Sequence, residues 1–165
     1  MKKSVSIADL DEFDHKLLAL LSRDGRMSVT ALAAQVGLSK TPCQARLKKL
    51  QESGVITGFR AVLDSARLGL THIAFTEIKL SDTREAALSQ FNAAVRRIPE
   101  VEECHMIAGS FDYLLKVRTA DIQRYREVLG EAISALPFVA SSSTYVAMET
   151  CLLYTSPSPR DRTRS

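Results

Sequence analysis

The chain has 165 residues, of which 45% are hydrophobic and 25% charged, a composition typical of a globular protein with one or two small domains. It contains no apolar run of about 18 residues, as a membrane span needs, and no secretory signal, so we expect a cytoplasmic protein. The three cysteines, Cys43, Cys104 and Cys151, lie far apart without partners at metal-binding spacing. We therefore expect reduced thiols, no bound metal and no other cofactor.

Charge is divided unevenly along the chain. Residues 1–64 carry ten Lys and Arg against seven Asp and Glu, a net charge of +3. Residues 65–150 carry nine against eleven, a net charge of −2, and residues 151–165 carry three against one. A moderately basic N-terminal part and an acidic remainder fit a DNA-binding domain joined to a domain that does not bind DNA.

The first predicted helix starts at Asp11, whose carboxylate can accept a hydrogen bond from an unpaired N–H of the first turn. Asp14 lies in that turn, where a carboxylate favours the helix dipole. Gly25 is predicted to end the segment. The apolar stripe of this helix comprises Phe13, Leu17, Leu18 and Leu21.

Residues 28–50 predict two short amphipathic helices joined by a tight turn. Ser28 and Ser39 are good N-cap residues, and Gly37 can adopt the left-handed conformation that ends a helix. Pro42 lies in the first turn of the second helix, where its missing N–H costs no helical hydrogen bond. Together with the upstream helix, this is a helix-turn-helix pattern. The inward positions are Val29, Leu32, Ala33 and Val36 in one helix and Cys43, Leu47 and Leu50 in the other.

Residues 55–64 alternate apolar and polar side chains around Thr57 and Gly58, after Gly54 has ended the second helix. This pattern predicts a two-stranded wing, so a winged helix-turn-helix domain fills residues 11–64, with a linker at 65–70.

The outward surface of the second helix is short, polar and cationic, which suits a recognition helix in the major groove of double-stranded DNA. A charged helix face alone is more often only solvated, and the motif context favours DNA. We expect phosphate contacts from Ser39, Lys40, Arg46, Lys49 and Arg60, and base contacts from Thr41, Gln44, Ala45 and Lys48.

The rest of the chain alternates between strand and helix periodicity in the order βαββαβ, the split βαβ or ferredoxin-like arrangement, over residues 71–149. The fold class is therefore α+β. Helices cover one face of such a sheet, so we expect the other face to pair with a second copy in a homodimer. The predicted elements are a strand at 71–81, a helix at 83–98, strands at 101–109 and 112–120, a helix at 121–136 and a strand at 139–149.

The helix-turn-helix segment GRMSVTALAAQVGLSKTPCQARLKKLQESGVITGFRAVLD, followed by a βαββαβ domain with the turn GSFDY, closely resembles the leucine-responsive, or Lrp/AsnC, family of transcription regulators over residues 11–149. The segment ECHMIAGSFDYLLKVRTADI is most similar to the subgroup that regulates proline dehydrogenase. The resemblance implies a dimer or octamer whose C-terminal domains bind a small amino acid and change how the N-terminal domains sit on operator DNA. The implied effector is proline and the implied target is the operon for proline breakdown; leucine or another amino acid is the alternative.

The resemblance places the effector near the loop between the second and third strands. Gly109 can give the backbone freedom that close ligand approach needs, and Asp112 can accept from an ammonium group. The same residues also suit an ordinary hairpin loop, and both interpretations stay open. Ser141, Ser142, Ser143 and Thr144 offer hydroxyls for a carboxylate, although a plain polar strand is favoured. The candidate effector residues are Ala108, Gly109, Ser110, Phe111, Asp112 and Tyr113.

Two other functions are less consistent with the sequence. A ferredoxin-like enzyme would need an acid and base pair or a partnered nucleophile, and His72 and His105 are lone histidines without such partners in the sequence. A different class of winged-helix repressor would commonly dimerise through helices. Residues 150–165 lack either periodicity, so we expect a tail derived from vector or adapter sequence, or else a native disordered basic tail.

Overall fold

The computed structural model describes residues 9–153, whose contacts separate into two units with a boundary between Val62 and Leu63. Most of the predicted tail, residues 154–165, lies outside the described residues. Within the described part, none of the helices combines the length and the apolar character that crossing a membrane requires.

The N-terminal unit is built from three helices, α1 (Glu12–Leu21), α2 (Val29–Val36) and α3 (Lys40–Glu52). This confirms the helix-turn-helix and its upstream helix. One expected core residue differs, because Leu47 is only half-buried and α3 instead reaches the core through Cys43 and Leu50. The buried core of this unit consists of Leu17, Leu32, Ala33, Val36, Cys43 and Leu50.

Three of the helix ends follow the predicted caps, and Ser39 differs. Asp11 caps α1, Ser28 caps α2, and Gly37 ends α2 in the left-handed conformation at φ +79°. Ser39 has the extended backbone of an N-cap, but among the described residues its side chain finds no capping donor. Pro42 occupies the third helical position, where the usual donor would be, and has no N–H. The Ser39 hydroxyl therefore stays exposed at the start of α3.

The predicted wing is wrong. Residues 55–64, all of which the structure describes, contain no strand. Val55 and Ile56 pack against the helical core, and Ile56 N donates to Leu50 O at 3.0 Å. Because neighbouring side chains both point to the core here, the segment cannot alternate across a hairpin.

Gly25 also has a different role from the expected helix stop, since α1 already ends at Leu21. A Cβ atom at Gly25 would lie 3.2 Å from Phe59 Cδ1, so the missing side chain lets the Phe59 ring lie close to the backbone. This contact anchors the irregular segment immediately before Arg60.

The C-terminal unit has the predicted βαββαβ order. Its four strands form one antiparallel sheet in the order β2-β3-β1-β4. The last helix differs from the prediction of one continuous helix, because α5 is followed by a five-residue π-helical segment at Leu129–Ile133. The elements are β1 (His72–Leu80), α4 (Glu85–Val95), β2 (Val101–Met106), β3 (Tyr113–Thr119), α5 (Ile122–Val128) and β4 (Val139–Val146).

The core of this unit lies between the sheet and its helices. Along β1, Ala74, Thr76 and Ile78 are buried, whereas Phe75 and Lys79 on the opposite face are exposed. Glu77 lies on the same face as Phe75 and Lys79. In the strand register it is paired with Leu114 of β3 on one side and with Ser143 of β4 on the other. One sheet face is therefore filled by the helices, and the other remains open within this unit. The core includes Ala74, Ile78, Phe91, Val95, Tyr113, Leu115, Val117, Tyr125, Val128 and Ile133.

Candidate nucleic-acid interface and effector groove

The outward face of α3 assembles the expected base-contacting residues. Thr41, Gln44, Ala45 and Lys48 recur at helical spacing, so they share one face, and all four are exposed. Lys48 Nζ lies 3.7 Å from a carboxylate oxygen of Glu52, one turn further along. The N-terminal half of this face is uncharged and carries a hydroxyl and an amide, which are groups that read base edges.

Cations suited to phosphate lie beside this face. Lys40 and Lys49 are exposed on α3, and Arg60 is exposed on the irregular segment after Phe59. Within residues 9–153, none of these three side chains forms an ion pair. Together with the free Ser39 hydroxyl, they keep their full capacity for phosphate oxygens.

Arg46 differs from the other predicted phosphate contacts. Its Nη1 lies 2.6 Å from Asp11 Oδ2 and 3.0 Å from Asp14 Oδ1, and its side chain is 29% exposed. The pKa of Asp11 is held below its usual value, chiefly because the Asp14 N–H donates to it, with Arg46 adding to the effect. Arg46 is therefore already paired with two carboxylates of its own domain, and it is not among the proposed phosphate contacts.

Two of the six candidate effector residues are structural. Tyr113 is 1% exposed, and its ring centre lies 4.4 Å from that of Phe91, so burial raises the pKa of its hydroxyl. Asp112 Oδ2 accepts from Leu80 N at 2.7 Å, and Asp112 N donates to Ile78 O at 2.9 Å. The expected role of Tyr113 as an effector ligand is corrected, because its side chain is packed in the core, and one carboxylate oxygen of Asp112 is already used in joining β3 to β1.

Gly109 also does not need the backbone freedom expected of it. Its φ lies outside the left-handed region, and a Cβ atom would meet only Ile107 Cγ2 at an ordinary 3.5 Å. Ala108, Gly109 and Ser110 are exposed along the loop.

A small groove of about 140 Å³ opens on the uncovered face of the sheet. Lys79 Nζ donates to Ser110 O at 3.0 Å, and Glu77 lies 3.5 Å from the Tyr145 hydroxyl. One cation, one anion, several hydroxyls and an aromatic ring thus surround a single space, an arrangement complementary to a small zwitterion. The groove is lined by Glu77, Lys79, Ser110, Phe111, Ser141, Ser142 and Ser143.

The groove brings together residues from β1, from the loop before β3 and from β4, which are far apart in the sequence. Ser110 and Phe111 are among the predicted effector residues, whereas the sequence favours a plain polar strand for the serines of β4. Glu77 and Lys79 are not predicted from the sequence, although alternation along β1 puts them on the face opposite Ala74 and Ile78. Thr144 does not line the groove; its hydroxyl is hydrogen-bonded to the Tyr125 hydroxyl.

His72 and His105 have local partners. His72 Nδ1 lies 3.1 Å from Thr119 Oγ1, and the exposed His105 contacts Glu103 at 3.2 Å. Within residues 9–153, no group of three or more His, Cys, Asp or Glu side chains is placed to hold a metal ion.

Comparison with known proteins matches both units. Residues 10–51 match the AsnC-type helix-turn-helix domain, and residues 73–157 match the Lrp/AsnC ligand binding domain. The chain is 65% identical over 149 residues to the proline dehydrogenase transcriptional activator of Rhizobium radiobacter, covering 90% of this chain and 96% of that protein.

Two solved structures are similar along nearly the whole chain. An AsnC family transcriptional regulator from Agrobacterium tumefaciens aligns with a TM-score of 0.84 and 34% identity, covering 93% of this chain and 99% of that one. A transcriptional regulator from Neisseria meningitidis in complex with L-Met aligns with a TM-score of 0.83 and 28% identity, covering 90% of this chain and 96% of that one.

Proposed function

The chain belongs to the Lrp/AsnC family of transcription regulators, and on this basis we propose that it responds to proline and controls proline dehydrogenase. It is a DNA-binding regulator of amino-acid metabolism. The observation that carries the proline assignment is the 65% identity to a proline dehydrogenase transcriptional activator over 90% of the chain. Operator binding requires the protein to share a compartment with the DNA, so the proposal includes a cytoplasmic location.

The groove on the open sheet face supports an amino-acid effector. Proline carries a carboxylate, a secondary ammonium group and an apolar ring. We assign the carboxylate to Lys79, the ammonium to Glu77 and the ring to Phe111, because these three side chains line one space. A groove that presents both a cation and an anion favours a ligand with a carboxylate and an ammonium group over a simple acid or amine.

Proline binding is tested by a thermal-shift screen of the twenty amino acids. We expect proline alone to raise the melting temperature, because a ligand at about 100 times its Kd stabilises the native state by about 2.7 kcal/mol. Lys79→Ala should abolish the shift, because it removes the cation assigned to the carboxylate. Lys49→Ala, in the other unit, is the matched control and should keep the shift.

Other outcomes of the screen point elsewhere. A shift with leucine or methionine in place of proline contradicts the proline assignment and supports a regulator of another amino acid, the second candidate, which the likeness to a methionine-bound regulator favours. A proline shift that survives in Lys79→Ala contradicts the groove as its site.

DNA contact is tested on the N-terminal unit. Lys49→Ala should weaken binding to all sequences alike and reduce the slope of log affinity against log salt by about 1, because one phosphate contact is lost. Gln44→Ala should leave that slope unchanged but lower the preference for a selected operator. Titrations with a random-sequence duplex and with the operator separate the two effects, and an unchanged slope in Lys49→Ala contradicts its phosphate contact.

The open sheet face also supports a homodimer or a higher oligomer such as an octamer. Phe75 and Tyr145 are exposed there and lie side by side in the register of β1 and β4. Two copies joined through this face would carry two recognition helices. We therefore expect the selected operator to contain two half-sites about 34 Å apart, or a multiple of this distance.

A further inference from the structure

An ion-pair cluster of Asp11, Asp14 and Arg46 joins the middle of α3 to the start of α1. Arg46 Nη1 lies 2.6 Å from Asp11 Oδ2 and 3.0 Å from Asp14 Oδ1. The guanidinium carbon lies 5.3 Å from the centre of the Phe13 ring. A single side chain of the recognition helix thus contacts three side chains at the start of another helix.

Both carboxylates of the cluster are also tied to the backbone. Asp14 N donates to Asp11 Oδ1 at 3.0 Å, and Asp11 N donates to Asp14 Oδ2 at 3.2 Å. The remaining oxygen of each carboxylate is the one that contacts Arg46. Asp14 is only 2% exposed, and within residues 9–153 its ion-pair partner is Arg46. A buried carboxylate without its cation strongly destabilises the folded state. The contact between Asp14 and Arg46 therefore holds the two helices together.

The same geometry makes Arg46 a poor phosphate ligand. Two carboxylates share one guanidinium, so an approaching phosphate meets a net negative cluster. Lys40 and Lys49, on the same helix, are exposed, and within residues 9–153 neither forms an ion pair. We propose that Arg46 is a positioning residue for DNA recognition, which fixes the rotation of α3 against α1 and leaves phosphate binding to the neighbouring lysines.

The fixed rotation matters because each residue along a helix turns the outward face by about 100°. Thr41, Gln44 and Lys48 reach one groove together only while α3 keeps its rotation. A planar guanidinium that contacts two carboxylates and lies over an aromatic ring holds that rotation better than a single flexible ammonium. The proposal rests on α3 being the helix that contacts DNA.

The test compares Asp14→Asn and Arg46→Gln with Lys49→Gln as the matched control in the full chain. Affinities are measured on the operator selected by the wild-type protein and on a random-sequence duplex over a range of salt concentrations. We expect Asp14→Asn and Arg46→Gln each to lose about tenfold in operator affinity. We expect both to keep the wild-type salt slope, whereas Lys49→Gln loses about one unit of slope.

Asp14→Asn separates positioning from phosphate binding most sharply. If Arg46 bound phosphate, removing a carboxylate would free the guanidinium and tighten binding, whereas positioning predicts weaker binding. Where Asp14→Asn or Arg46→Gln fails to fold, Asp11→Asn repeats the comparison at an exposed carboxylate and should lower operator affinity in the same direction.

Three results would overturn the proposal. A tighter-binding Asp14→Asn or Asp11→Asn, or an Arg46→Gln slope reduced as in Lys49→Gln, contradicts the positioning role alone. A wild-type protein that binds neither duplex contradicts the DNA interface itself, and the positioning role with it.

Discussion

Phe91→Ala is expected to unfold the C-terminal domain selectively. Phe91 is 0% exposed, and its ring centre lies 4.4 Å from that of Tyr113 between α4 and β3. Truncation of such a buried ring costs about 3–5 kcal/mol, because the lost contacts leave a cavity that the surrounding side chains fill only in part. Native domains have a total stability of about 5–15 kcal/mol, so the loss is a large fraction of it.

Denaturant unfolding of the full chain, followed by circular dichroism, measures this loss. We expect the effector-induced thermal shift to disappear in Phe91→Ala, since β1 and β4 would no longer form the groove. Phe91→Leu is the control, because it keeps more of the apolar volume and should destabilise the domain less than Phe91→Ala. An unfolding midpoint in Phe91→Ala equal to that of the wild type would show that the ring is not packed as described.

Leu32→Ala is expected to abolish DNA binding while effector binding persists. Leu32 is 0% exposed at the centre of the three-helix core. Its truncation costs about 2–5 kcal/mol, and a domain of this small size has little stability in reserve. The rotation and spacing of α2 and α3 depend on that core, so the recognition face would be lost with it.

Operator titrations and the proline thermal shift, measured on the same preparation, check this outcome. Leu32→Met is the control, since it keeps the apolar volume and should bind operator almost as well as the wild type. Retained operator affinity in Leu32→Ala, with unchanged unfolding, would contradict the role of this core. Leu32→Ala should remove operator binding and spare the proline shift. Phe91→Ala should remove the proline shift and also weaken operator binding, because the proposed pairing of two copies depends on the C-terminal sheet.

The elements were predictable because their signals are local. Asp11, Ser28 and Gly37 mark helix ends through their own side chains or backbone, and these marks do not depend on distant partners. The alternation along β1 likewise follows from the period of a strand. The helix-turn-helix and the βαββαβ order are therefore both present in the structure where the patterns predicted them.

The errors came from contacts between distant segments. Residues 55–64 alternate as a hairpin would, but Val55 and Ile56 are drawn onto the helical core and Phe59 lies against Gly25. Ser39 has the right residue type for a cap, but Pro42 removes the donor that its side chain needs. Periodicity indicates which apolar residues share a face of a helix or strand, but it does not indicate which other segment packs against that face.

The candidate sites show the same division. The exposed face of α3 could be predicted because its residues share one helix. The groove could not, because Lys79 and Ser110 are brought together by the register of separate strands and a loop. Asp112 and Tyr113 looked like effector ligands until their partners, Leu80 and Phe91, were known.

The sequence by itself determined the order of the helices and strands, the division into two domains and the outward face of α3. These features depend on helix and strand periods and on caps, which act within a few residues. The tertiary structure alone decided whether a charged or polar side chain is free to bind. Arg46 and Lys49 are three residues apart on one helix, yet the first is engaged by Asp11 and Asp14 and the second is exposed. Charges act through space, and only the fold establishes which charges meet.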